Sequence, residues 1–87
     1  MRIIALDQAT AVSGVAIFED GVLVEHKIVS EPNKIDINTR TLLMAHALCK
    51  EMASCDVVVI EDVQAQGSVA VTIQLARLQG ALLFFAH

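Results

Sequence analysis

The sequence predicts a small α/β domain with a mixed sheet, built in the order β-β-β-α-β-α. Two short runs of aliphatic residues, 2–7 and 57–60, read as strands and lead into acidic residues. Two extended segments flank a turn signal at 19–21, and two segments show a helical period. The 87 residues are 55% apolar and 18% charged, which favours one packed domain over a disordered chain.

The first half of the chain predicts an antiparallel meander of three strands. Residues 2–7 and 12–18 are the first two strands, joined by a short Ala/Thr/Ser connection. A turn of the Asp-Gly type at 19–21 leads into a third strand over 22–29. Pro32 then ends the meander, because proline has no N–H to donate to a ladder.

The second half predicts a helix, a strand and a second helix. The first helix runs from residue 36 or 38 to about 53, since apolar residues recur every three or four positions. Residues 57–60 predict a strand buried on both faces, and Ser68 is a candidate N-cap for a helix over 69–86. The residues expected to line the inner side of the first helix are Ile37, Met44, Leu48 and Met52, with Leu42, Ala45 and Cys49 beside them.

The second helix is apolar on almost every side and lacks a polar last turn. One small sheet cannot cover such a helix, so we expect a further C-terminal part or an oligomer. The helix is interrupted by Gln74, Arg77 and Gln79, and the N-terminus has no basic leader before an apolar run. We therefore expect a soluble, cytoplasmic protein with no membrane contact.

Asp7 and Glu61 directly follow the apolar residues of two predicted strands. An ionised carboxylate there is costly to desolvate unless a cation or a set of donors meets it. A right-handed crossover would return the strand at 57–60 beside the first strand, which would bring the two acids together at a divalent-cation site. The alternative for Asp7 is a turn cap through the backbone N–H of Thr10 or Ala11. Asp62 is expected on the opposite face from Glu61, as a solvated or capping residue.

This order of elements resembles the N-terminal part of RuvC-type Holliday-junction resolvases, which belong to the ribonuclease H-like superfamily. The resemblance rests on Asp7 in the first strand, on the pair Ser13-Gly14 and on the box Ile60-Glu61-Asp62-Val63. The start of the first helix at 38–42 and the pair Gln79-Gly80 are also similar. The resemblance covers essentially all 87 residues.

The resemblance implies a Mg²⁺-dependent endonuclease, with Mn²⁺ as an alternative ion, that acts on branched DNA as a homodimer. It assigns Asp7 and Glu61 as metal ligands and catalytic residues. Two further acids of the family site lie in a C-terminal helix, so we expect the 87-residue chain alone to be catalytically silent. The polar loop after the second acidic strand offers Gln64, Gln66 and Ser68 as candidate DNA contacts.

The sequence departs from the family in the turn after Asp7. Asp7-Gln8-Ala9-Thr10 stands where the family usually has Asp-Pro-Gly or Asp-x-Gly, and Gln64 stands where several relatives have an aromatic residue. Two other function classes therefore stay open. One is an ATP-binding domain of the actin-like superfamily, although Ala9 stands where its phosphate loop has glycine. The other is a non-enzymatic dimerisation module.

Overall fold

The structure, a computed structural model, describes residues 1–32, 34–61 and 69–86. The predicted order of elements is confirmed, with bounds that differ from the expected ones by at most one residue. The elements are β1 (Arg2–Asp7), β2 (Val12–Glu19), β3 (Val22–Ser30), α1 (Ile37–Met52), β4 (Val57–Ile60) and α2 (Val69–Ala86).

The four strands form one sheet in the order β3-β2-β1-β4. β1 pairs antiparallel with β2 on one side and parallel with β4 on the other. The parallel register runs from Ile3 opposite Val57 to Leu6 opposite Ile60. β4 therefore lies beside β1 and parallel to it, as the expected right-handed crossover requires.

A two-residue turn joins β2 to β3. Asp20 and Gly21 have φ values of 50° and 84°, the positive pair of a type I′ turn, whose twist matches that of the flanking strands. Asp20 is the only non-glycine residue with positive φ among the described residues. The Asp-Gly signal in the sequence thus determines the hairpin locally.

Both helices lie on the same side of the sheet, and the core is between them and that side. The buried core residues of the sheet are Ile4, Leu6, Val15 and Ile17, and those of the helices are Met44, Ala45, Leu48, Met52, Leu78 and Leu82. The other side of the sheet is open. Val57 and Val59 are 37% and 52% exposed there, so the prediction that β4 is buried on both faces is wrong. No described helix lies over that side of the strand.

The predicted inner side of α1 is only partly right. Met44, Leu48 and Met52 are buried, whereas Ile37 and Leu42 are 39% and 70% exposed. Leu42 lies two residues before Met44 and therefore on nearly the opposite side of a helix with 3.6 residues per turn. Ile37 lies in the first turn, directly after the N-cap Asp36, whose side chain accepts from the Thr39 N–H at 3.0 Å.

Contacts with α1 hold α2 through two kinds of interaction. Leu78 and Leu82 are fully buried in the shared core. At the other end, Asn38 Oδ1 accepts from Gln74 Nε2 at 2.9 Å and from Arg77 Nη1 at 3.0 Å. By length and composition α2 is apolar enough to cross a membrane, a test that the core helix of a soluble protein also passes.

The burial difference along α1 gives a matched pair of leucine substitutions. Leu48→Ala is expected to lower the free energy of unfolding by about 2–5 kcal/mol, because it removes a fully buried side chain and leaves a cavity. Leu42→Ala is expected to change it by no more than about 0.5 kcal/mol. Urea unfolding followed by circular dichroism measures both, and equal losses would contradict this core.

Candidate functional site

Two acidic side chains lie next to each other at the end of the parallel strand pair. Leu6 and Ile60 are the last partners of the β1–β4 ladder, and Asp7 and Glu61 are the next residue on each chain segment. Neighbouring strands are about 4.8 Å apart, so the two backbones are adjacent there. Both residues are exposed and line the same groove. The structure thus brings together the two acids that the sequence singled out.

The groove lies on the open side of the sheet and has a volume of about 520 Å³. The residues that line it include the small residues Ala5, Gly14 and Ala16. Gly14 is paired with Asp7, and a β-carbon at Gly14 would lie 3.7 Å from that of Asp7. Small residues therefore leave the space beside the Asp7 carboxylate open to solvent.

No described residue forms a hydrogen bond or an ion pair with the carboxylate of Asp7 or Glu61. The alternative in which Asp7 caps a turn through Thr10 or Ala11 is therefore wrong. Lys27 also lines the groove, but its ammonium group contacts Glu25 and Glu51, each at 2.7 Å. The hydrogen bonds that the Lys27 ammonium group donates to these two carboxylates raise the pKa of Lys27, and they keep its charge engaged away from the acidic pair.

A buried serine holds the turn that follows Asp7. Ser13 is fully buried, and its hydroxyl accepts from the Ala9 N–H and donates to the Ala9 carbonyl, both at 2.9 Å. Neither Ala9 nor Thr10 has a positive φ. The turn therefore needs no glycine, which explains physically how Asp7-Gln8-Ala9-Thr10 departs from the family pattern.

Gln8 links the two strand ends directly. Its side chain is nearly buried, with Nε2 donating to the Glu61 carbonyl at 2.6 Å and Oε1 accepting from the Glu61 N–H at 3.2 Å. One carboxamide thus satisfies both backbone groups of the residue that follows β4. It extends the parallel ladder by one position beyond Ile60.

Sequence reasoning did not find the roles of Gln8 and Ser13, although a signal for both is present. Ile4, Leu6 and Gln8 alternate along one strand, as do Ser13, Val15 and Ile17 along the next. Both polar residues therefore occupy core-side positions, where a side chain must find hydrogen-bond partners. The period alone predicts that they are bonded but not to which atoms.

Several predicted residues lie outside the described residues. They are Asp62, the three candidate DNA contacts Gln64, Gln66 and Ser68, and with Ser68 the predicted N-cap of α2. Within the ranges that the structure describes, no group of three or more His, Cys, Asp or Glu side chains could hold a metal ion. Asp7 and Glu61 are therefore a pair. His26 lines the same groove and is exposed.

The fold is that of RuvC Holliday-junction resolvases. The chain superposes on Thermus thermophilus RuvC in complex with a Holliday junction substrate with a TM-score of 0.80 at 12% sequence identity. A second Thermus thermophilus RuvC structure gives a TM-score of 0.72 at 14% identity. Each match covers 99% of this chain and 57% of the other, so this chain spans somewhat more than half of their length. No family model and no curated protein matches the sequence.

The fold comparison confirms the predicted ribonuclease H-like class and the resemblance to the N-terminal part of RuvC. Because the identities are low, this likeness concerns the fold.

Replacing Ser13 tests how the turn after Asp7 is held. Ser13→Ala is expected to lower the free energy of unfolding by about 1–3 kcal/mol, because it leaves two partly buried backbone groups of Ala9 without their partner. The exposed Ser30→Ala is the control, with no loss expected beyond about 0.5 kcal/mol. Chemical unfolding measures both values, and faster hydrogen exchange at the Ala9 amide should accompany the first. An unchanged Ala9 amide would contradict the assigned contact.

Proposed function

We propose that this chain supplies two carboxylates, Asp7 and Glu61, to a divalent-metal site of a nuclease that acts on branched DNA. The observation that carries the proposal is the position of these acids at neighbouring ends of β1 and β4, where both carboxylates lack a protein partner in the described part of the chain. The fold supports the proposal because it is that of resolvases. The RuvC structure that contains a Holliday junction names the class of substrate.

The donor set fits the proposed ion. Mg²⁺ prefers carboxylate oxygens, keeps several waters and is commonly bound by one or two carboxylates together with substrate phosphates. Two exposed, unengaged carboxylates in an open groove match that pattern. Mn²⁺ accepts the same ligands. The remaining ligands of such a site would come from the substrate, water or residues other than those described.

In this proposal each residue has a specific task. Asp7 and Glu61 would hold the ion from two neighbouring strand ends. The Gln8 side chain, next to Asp7, is hydrogen-bonded to the Glu61 backbone, so the spacing of the two carboxylates varies little. When bound, a divalent cation stabilises the charge that develops on the scissile phosphate and lowers the pKa of a coordinated water. Gly14 leaves room across from Asp7 for a phosphate to approach. Ser13 keeps the adjoining turn in place.

The DNA contacts belong to the proposal as well. Gln64, Gln66 and Ser68 stay predictions for phosphate contacts through amides and a helix N-terminus. The formal charge of −4 makes the acidic groove unfavourable for a phosphate until a cation is bound. A cytoplasmic location and a homodimer complete the proposal.

Metal binding tests the assignment of the two acids. Asp7→Asn and Glu61→Gln are each expected to raise the Kd for Mn²⁺ by about tenfold or more, because each removes a charged ligand. Asp20→Asn is the matched control, since asparagine tolerates positive φ and Asp20 lies at the β2–β3 turn. Titration by calorimetry, with line broadening of the amides near residues 7 and 61, measures the effect.

The same variants separate the nuclease from its alternatives. In a longer protein that cuts four-way junctions, Asp7→Asn or Glu61→Gln should abolish cleavage and leave most junction binding intact, because phosphate contacts need not use these charges. The 87-residue chain alone is expected to leave junctions uncut. Thermal stabilisation by ATP in place of Mn²⁺ would favour the actin-like alternative, and no response to either would favour a dimerisation module.

Exposed apolar residues on α2 predict that the chain self-associates. Phe84 is 88% exposed, and its neighbours Leu83 and Phe85 are 53% and 49% exposed. These three consecutive residues form a contiguous apolar cluster, whereas apolar residues on the surface of a monomer are usually scattered singly. Burial of this cluster, at about 25 cal/mol per Å² of apolar surface, would drive association. Phe84→Asp is expected to shift the sedimentation of a micromolar sample to the monomer. His46→Asp, on an exposed position of α1, should not. A wild-type monomer at that concentration would contradict the prediction.

A further inference from the structure

The geometry points to Gln8 as the residue that positions Glu61 beside Asp7, an inference that rests on the proposed metal site. We propose that the Gln8 carboxamide fixes the orientation of the Glu61 backbone on both sides of its α-carbon and so sets the spacing of the two carboxylates. Gln8 itself would not contact the ion. It would act through the backbone of Glu61.

The contact has two points, which matters for orientation. Nε2 donates to the Glu61 carbonyl at 2.6 Å, and Oε1 accepts from the Glu61 N–H at 3.2 Å. A single hydrogen bond would leave the Glu61 backbone free to rotate about that bond. Two bonds to groups on opposite sides of one α-carbon hold both its position and its direction, as a neighbouring strand does in a parallel ladder.

The position of Glu61 in the chain explains why this support is needed. The β1–β4 ladder ends at Leu6 and Ile60, so regular strand pairing does not reach Glu61. Asp7, by contrast, still belongs to the antiparallel β1–β2 ladder, because it pairs with Gly14. Asp7 is therefore held by the sheet, and Gln8 supplies the equivalent restraint for Glu61.

Successive side chains of a strand point to opposite sides of the sheet, so Asp7 and Gln8 can have different roles. Asp7 faces the open groove, and the next residue, Gln8, is nearly buried on the other side. Val59 and Glu61 both line the groove, in keeping with the same alternation on the neighbouring strand. Fixing the Glu61 backbone in strand register thus aims its side chain at the groove that Asp7 also faces.

The chemistry of the contact restricts the residue type. A glutamine carboxamide offers a donor and an acceptor at one end, which match the carbonyl acceptor and the N–H donor of the Glu61 backbone. Methionine has nearly the same length but forms neither bond. Asparagine keeps the carboxamide and is one methylene shorter, so it cannot reach both groups of Glu61 without movement of the backbone. Gln8→Met therefore tests the loss of both hydrogen bonds at nearly constant length. Gln8→Asn tests the loss of side-chain length with the carboxamide kept.

The experiment compares Gln8→Met and Gln8→Asn with Gln74→Met in the 87-residue chain. Gln74 also forms two side-chain hydrogen bonds, to Thr41 and Asn38, and these lie between the helices, away from the groove. We measure the Kd for Mn²⁺ well below the unfolding temperature, together with hydrogen exchange at the Glu61 amide. Residues that orient metal ligands typically change metal affinity by about 10–100-fold when replaced.

The expected result is a rise of about tenfold or more in the Mn²⁺ Kd for both Gln8 variants, with faster exchange at the Glu61 amide. Gln74→Met should leave the Kd and that amide unchanged, although it lowers thermal stability. In the Glu61→Gln background, Gln8→Met should have no further effect on the Kd, because the ligand that it positions is already lost. If Gln8→Met fails to fold, Gln8→Asn gives the same comparison.

Two results would overturn the inference, and they are distinguishable. If Asp7→Asn and Glu61→Gln weaken Mn²⁺ binding but both Gln8 variants match Gln74→Met, the metal site stands and the positioning role is wrong. If Asp7→Asn and Glu61→Gln leave Mn²⁺ binding unchanged, the proposed site and the role of Gln8 in it are both wrong.

Discussion

Four residues of β4 pair in parallel with four residues of β1, and the position of the candidate site depends on this short ladder. Hydrogen bonds from side chains to the backbone flank this ladder at both ends. At one end the backbone groups of Arg2 meet the Asp56 carboxylate and the Asp56 N–H, each at 2.8 Å, and at the other Gln8 meets Glu61. A ladder of four residues is short, so such side-chain bonds are a substantial part of what aligns the strand ends. That alignment makes Asp7 and Glu61 neighbours.

The unequal covering of the sheet explains why acidic side chains can lie there at all. Both helices pack on the side that contains Ile4 and Ile17, so the strand-end carboxylates on the other side stay in contact with water. Keeping them hydrated avoids the desolvation cost of a buried charge. The small residues Ala5, Gly14 and Ala16 leave the groove open and accessible. The stable core and the candidate site thus occupy opposite sides of one sheet.

The helix pair has a different balance of forces. Leu78 and Leu82 are buried against the core, and the polar contacts of Asn38 fix the end of the crossing near Gln74. The remaining surface of α2 is largely apolar and exposed, with Phe84 the most exposed of its large residues. A surface of this kind favours association, so the solution state of the chain and the stability of α2 should be linked.

The sequence by itself determined the elements and the candidate acids, because both depend on local physics. The Asp20-Gly21 turn follows from residues that accept positive φ, and Asp7 and Glu61 stand out as charges that follow apolar runs. Tertiary structure alone decided which side of β4 is covered, since a run of valines has no polar side to mark solvent. It also decided the partners of Gln8 and Ser13. Alternation shows that such residues face the core, but the atoms they bond lie on segments that only the folded chain brings within reach.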